Sequence, residues 1–149
     1  MKRSIPFLLL ALAPFGCQGN TLDFGQLNNY WTPLWDGHSL EGWRMSGPGE
    51  FVIEDGSLKA TGGMGLLWYE DESFTDFTLK LEWMVEDPSD NSGIFVRFPD
   101  PEAYDWKAKE WSGPEWVAVH EGYELQVCDA ADAKHNTGSV YSFQGPTHV

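Results

Sequence analysis

Phe77-Thr78-Leu79-Lys80-Leu81-Glu82-Trp83-Met84-Val85-Glu86 is the stretch whose pattern decides the fold. Phe77, Leu79, Leu81, Trp83 and Val85 alternate with Thr78, Lys80, Glu82, Met84 and Glu86. Successive side chains of a strand point to opposite faces, so this period of two predicts a long β-strand with one apolar face. Shorter runs on both sides repeat the pattern. Downstream, Ser92 to Phe98 sets Ile94 and Val96 opposite Gly93, Phe95 and Arg97, and Tyr123 to Cys128 sets Tyr123, Leu125 and Val127 opposite Glu124 and Gln126. Upstream, Glu50–Glu54 meets Ser57–Ala60 across Asp55-Gly56, a pair suited to a two-residue hairpin turn. Gly65–Tyr69 and Gly138–Phe143 read as further short strands. Many short strands separated by Gly, Pro and Asp predict an antiparallel sandwich or barrel. From Pro99 to Glu121 the alternation stops. That stretch reads as a long loop carrying Tyr104, Trp106, Trp111 and Trp116, either packed over the sheet's rim or forming a wall on which a ring can stack.

The chain has 149 residues, with 23 acidic against 9 basic side chains and a net charge of −14. That length suits one domain. That charge excludes a nucleic-acid partner, because little is present to neutralise a run of phosphates, and it equally disfavours a polybasic membrane-surface protein. With 42% hydrophobic and 15% aromatic residues, the chain is too apolar for a disordered one. Cys17 and Cys128 cannot make a disulfide scaffold; Cys128, within a strand pattern, reads as a small buried hydrophobe.

Residues 1–17 read as an export signal, residues 18–30 as a polar tether and residues 31–149 as the folded domain. Lys2 and Arg3 precede an apolar run from Ile5 to Ala13, too short to span a bilayer permanently. Gly16-Cys17 resembles the lipoprotein cleavage site at which the cysteine is acylated, although Pro14 and Phe15 depart from the usual upstream residues. The expectation is a periplasmic, outer-membrane or secreted protein, with membrane attachment through Cys17 if it is lipidated.

Glu82, Arg97, Glu124 and Gln126 fall on the polar strand faces. A face wetted by solvent explains such residues. So does a site for a polyhydroxylated ligand, in which polar groups fix hydroxyls while Trp106 and Trp111 cover a sugar ring. Among His38, His120, His135 and His148, His135 is the best placed to act as a base or metal ligand beside an acidic site. No Cys/His spacing of a zinc site exists. The turn Asp36 to Trp43 reads as architectural.

Five ordered blocks resemble the 3-keto-disaccharide hydrolase domain family. Leu34-Trp35-Asp36-Gly37-His38-Ser39-Leu40-Glu41-Gly42-Trp43 is similar to its opening, and Phe74–Trp83 to its "F-x-DF-x-L-x-x-E" strand. Asn91-Ser92-Gly93-Ile94-Phe95-Val96-Arg97 resembles "NSGI-x-x-R"; Gly122–Val127 with Asp129 resembles "GYE-x-Q-[IV]-x-D"; and Thr137–Tyr141 resembles "TG-x-[ILV]-Y". The resemblance implies an all-β, concanavalin-like antiparallel β-sandwich (jelly roll), with the family's C-terminal strands expected to be missing here. It implies an exported carbohydrate-active enzyme of bacterial type that cleaves 3-keto-glycosides; a non-catalytic sugar-binding module is the alternative. Glu124, Glu82 and His135 are the expected bases and Arg97 the enolate stabiliser, with a divalent metal as another possible stabiliser. Asn91, Gln126, Asp129 and Tyr141 are expected to meet the substrate together with Trp106 and Trp111.

Overall fold

A computed structural model describes residues 8–13 as backbone, and residues 31–130, 132 and 134–145 in full. Cys17, the tether and the rest of the expected leader lie outside the described residues. The elements run β1 (Leu8–Ala13), β2 (Thr32–Pro33), β3 (Trp43–Ser46), β4 (Glu50–Glu54), β5 (Ser57–Thr61), β6 (Leu66–Tyr69), β7 (Thr78–Glu82), β8 (Ser92–Val96), a 3₁₀ turn (Trp106–Lys109), α1 (Glu115–Glu121) and β9 (Tyr123–Val127). The fold is all-β and its sheets are antiparallel.

The described chain divides into two compact units. The first takes the residues up to Met45, Phe51–Thr61 and Leu67–Met84; the second takes Ser46–Glu50, Gly62–Leu66 and the residues from Val85 onward. In the first unit β1 lies between β2 and β7, pairing Leu12 with Thr32 on one side and with Leu79 on the other. The apolar run read as a leader is thus the middle strand of a sheet. On β7 the expected alternation holds, with Leu79 and Leu81 half-buried and Thr78, Lys80 and Glu82 exposed. The strand is shorter than its pattern, and Trp83 beyond its end is exposed.

Asp55 and Gly56 have φ of 51° and 72°, as the tight turn of the β4–β5 hairpin requires. The Asp36 turn is architectural: its carboxylate accepts from the backbone N–H groups of His38 (2.7 Å) and Ser39 (2.8 Å) and from the Ser39 hydroxyl (2.9 Å). The His38 bond leads in holding that carboxyl below the ordinary aspartate range. The indoles of Trp35 and Trp43 donate to the Ser39 and Leu34 carbonyls, which ties the turn to the buried Leu34 and Trp35.

In the second unit α1 packs against β8 and β9, and Val117 and Ala118 are fully buried. This corrects the reading of Pro99–Glu121 as structureless. Pro114 at the start, with φ of −66°, and Gly122 just past the end punctuate a short helix. The Gly138–Phe143 strand is also corrected. Val140 makes only isolated bridges to Leu125 and Gln144, because the chain turns back at once, with Ser142 left-handed at φ 63° and the Phe143 N–H bonded to the Val140 carbonyl. Cys128 is buried, as expected, and its N–H donates to Thr137 Oγ1 at 3.0 Å.

Candidate active site

The antiparallel β8–β9 register pairs Gly93 with Gln126, Ile94 with Leu125, Phe95 with Glu124 and Val96 with Tyr123. Directly opposed residues share a face. One face therefore carries Gly93, Phe95, Glu124 and Gln126, and the other Ile94, Val96, Tyr123 and Leu125. Of the two readings of Glu124 and Gln126, the solvated face is the one the burial disfavours. Gln126 is 3% exposed and Glu124 half-buried, whereas Tyr123 and Leu125 are 50% and 41% exposed. Alternation says which residues share a face; it does not say which face is covered.

Burial of that polar face has electrostatic consequences. Loss of hydration pushes the Glu124 carboxyl above the ordinary glutamate range. Among the described residues no hydrogen bond to that carboxylate offsets the shift. Gln126 Nε2 donates to Asn91 Oδ1 at 2.8 Å, which unites two of the expected substrate residues. Gln126 Oε1, Asn136 Oδ1 and Ser139 Oγ are buried without partners among the described residues. Asn136 and Ser139 were not anticipated, although they bracket the Thr137-Gly138 motif. Their segment runs along the free edge of β9, the Gln126 N–H donating to the Ser139 carbonyl at 2.9 Å and the Tyr141 N–H to the Glu124 carbonyl at 2.9 Å.

Tyr141 links β9 to His135, whose ring centroid lies 4.7 Å from its own. His135 Nδ1 is 2.7 Å from Asp132 Oδ1. The Lys134 N–H leads, with His135, in holding the Asp132 carboxyl below the ordinary range. The Asp132-x-x-His135 spacing was the unread signal for this pair. Asp129 is exposed just past the end of β9. Arg97, exposed at the other end of the ladder, closes β8 with a left-handed φ of 64°. Glu124, Gln126, Asn91, Tyr141, His135, Asp129 and Arg97 thus belong to β8–β9 and their flanking turns.

A protein-family model described as the 3-keto-alpha-glucoside-1,2-lyase-like domain matches residues 30–148. The chain belongs to this family. Neither a curated protein nor a solved structure matches it. The lyase-like family has a concanavalin-like fold and is carbohydrate-related, in agreement with the five sequence blocks and the antiparallel strands.

Three expected site residues of this lyase-like domain sit differently from the rest. Glu82 belongs to the first unit, exposed at the end of β7. Trp111 is engaged by the protein's own rings, stacked with Tyr104 at 5.7 Å and with His120 at 4.5 Å, while Trp116 stacks on His120 at 5.7 Å. The Tyr104 hydroxyl donates to Glu121 at 2.6 Å and anchors the stack to α1. Lys107 Nζ lies 5.3 Å from the Trp106 ring centroid. Among the described residues no group of three or more His, Cys, Asp or Glu side chains is arranged to hold a metal ion. The described donor set does not fit a divalent cation.

Proposed function

We propose that this domain cleaves 3-keto-glycosides, with Glu124 as the base. The observation that carries the reading is a half-buried carboxyl, raised by lost hydration, on the strand that carries the family's Gly-Tyr-Glu block. A base is most effective when its affinity for the proton lies near that of the working solution, and desolvation moves a glutamate in that direction. A ketone at sugar C3 acidifies the C2 hydrogen. Glu124 takes that proton and the C–H electron pair becomes the enolate. Collapse of the enolate forms the C1–C2 double bond and breaks the bond from C1 to the departing oxygen, which takes up a proton. Addition of water across the new double bond then gives the free 3-keto sugar.

Arg97 supplies the cation that steadies the enolate oxygen, and it lies two residues beyond Phe95, the partner of Glu124. His135, oriented through Nδ1 by Asp132, keeps Nε2 for proton exchange with the departing group. Asn91 and Gln126 hold substrate hydroxyls. The experiment is incubation of the protein with a 3-keto-glucoside. Release of the C1 substituent, lost in Glu124→Gln, supports the reading; binding without cleavage would replace it with a sugar-binding module.

The proposal includes export, motivated by Lys2, Arg3 and the apolar run to Ala13, and lipid attachment at Cys17. Fractionation of a bacterial host tests both. Unprocessed protein confined to the cytoplasm would refute export, and membrane retention unchanged in Cys17→Ser would refute the lipid.

A further inference from the structure

Gly93 faces Gln126 across the ladder and lies diagonal to Glu124 on the same face. A Cβ added to Gly93 would come within 2.2 Å of Glu124 Oε1, 2.6 Å of its Cγ and 2.8 Å of its Cδ. No real side chain tolerates those separations. The glutamate therefore lies folded across the backbone of β8, in space left by the missing side chain. The φ of Gly93 is not left-handed, so the backbone there suits any residue. What glycine supplies at this position is room.

We propose that Gly93 is a positioning residue for Glu124, its bare backbone being the seat that holds the carboxylate half-buried against the strand. The inference rests on the reading of Glu124 as the base and adds what fixes its place. Any side chain at position 93 evicts the carboxylate. The three atoms nearest to an added methyl group all belong to the flexible side chain of Glu124. Glu124 therefore swings outward while the ladder stays intact. In solvent the carboxyl regains its hydration, and its proton affinity falls back toward that of an ordinary glutamate. Displacement of a reacting group by about 1 Å costs on the order of 10²-fold in rate.

The test compares wild type, Gly93→Ala, Glu124→Ala and the double variant. Carboxyl-carbon NMR titration, with the Glu124 signal assigned by its loss in Glu124→Ala, reads the seat without reference to activity. The expected result is a Glu124 midpoint at lower pH in Gly93→Ala, with the strand amide signals retained. An unmoved midpoint overturns the proposal. Thermal melting of the four proteins closes a cycle: Gly93→Ala shifts the melting temperature in the wild-type background and leaves it unchanged in Glu124→Ala, where the three atoms nearest the added methyl are gone. An equal shift in both backgrounds, or failure of both proteins carrying Gly93→Ala to fold, would show that the backbone itself needs glycine. On a 3-keto-glucoside, Gly93→Ala is expected to lose about 10²-fold in kcat with a smaller change in KM, and the acid limb of its rate profile moves to lower pH. If the wild type cleaves nothing, the functional reading fails alone, and the titration and the cycle still decide the seat.

Discussion

Glu124 is half-buried and, among the described residues, accepts no hydrogen bond, so lost hydration alone opposes its ionisation. Replacement by Gln keeps the shape and removes the charge. The folded protein retains the Glu124 proton to higher pH than the unfolded chain does. Between the ordinary glutamate value and the raised one, the folded state binds more protons than the unfolded state. Stability therefore falls as pH rises through that window, and the deficit persists above it. Below the ordinary value both states are protonated and the deficit vanishes. A fully buried unpaired carboxylate would cost several kcal/mol; water reaches half of this one, which leaves a penalty on the order of 0.5–1 kcal/mol. For a chain of this length that amounts to about 1–4 °C in melting temperature. Melts of wild type and Glu124→Gln between about pH 3.5 and about pH 8 are expected to coincide at the acid end, with the variant higher at neutral pH. The carboxyls of Asp36, Asp87 and Asp132 are lowered by hydrogen bonds, led by those from His38, Ser89 and Lys134, so they withdraw stability as pH falls. They do so in both proteins and cancel from the difference. Curves that run parallel, or a variant that melts lower at neutral pH, would refute the account of Glu124 as a desolvated, unpaired carboxylate. The stabilised variant should also lose about 10²–10⁴-fold in turnover.

Gly56→Ala meets no atom within 4 Å but must hold a φ of 72°; urea unfolding should show a loss of about 1–2 kcal/mol, wholly conformational in origin. Trp111→Ala removes stacking on two rings and should cost about 1–3 kcal/mol, whereas Trp111→Phe should cost less than about 1 kcal/mol. Sugar titrations of the Phe variant that show lost affinity at unchanged stability would restore Trp111 as a substrate platform. Ser139→Ala deletes a buried hydroxyl that has no partner among the described residues; chemical denaturation should find it within about 0.5 kcal/mol of wild type, and a larger loss would reveal a bonded hydroxyl.

Strand alternation and turn chemistry were legible wherever a local rule governs. The Asp55-Gly56 hairpin, the β7 face and the Asp36 turn each follow from a few neighbouring residues. The inward turn of the Glu124 face was not legible, because burial depends on what the rest of the unit lays over it. α1 is not legible because seven residues, two of them β-branched valines, give too short a pattern to separate from a loop, although Pro114 and Gly122 mark its ends. The turn at Ser142 contradicts the β-like composition of Gly138–Phe143 through a left-handed residue that the sequence does not announce. Gly93 reads in the sequence as one more strand residue on the face of Phe95 and Arg97. Its meaning lies two residues away on another strand.

The middle strand of the β2-β1-β7 sheet is made before either of its partners. A ribosome adds about 5–20 residues each second, and about 65 residues separate Ala13 from Thr78, so Leu8–Ala13 waits roughly 3–13 s for β7 to exist. During that interval one edge of the segment stays unpaired, even once β2 has been made, and is open to a receptor for nascent chains. Once β7 has closed on it, its backbone amides are occupied and it can no longer be read as an address. On the proposed export, leader and strand are competing fates of the same six residues. Slowing translation between Thr32 and Thr78 should favour the address, and hastening it should favour the sheet.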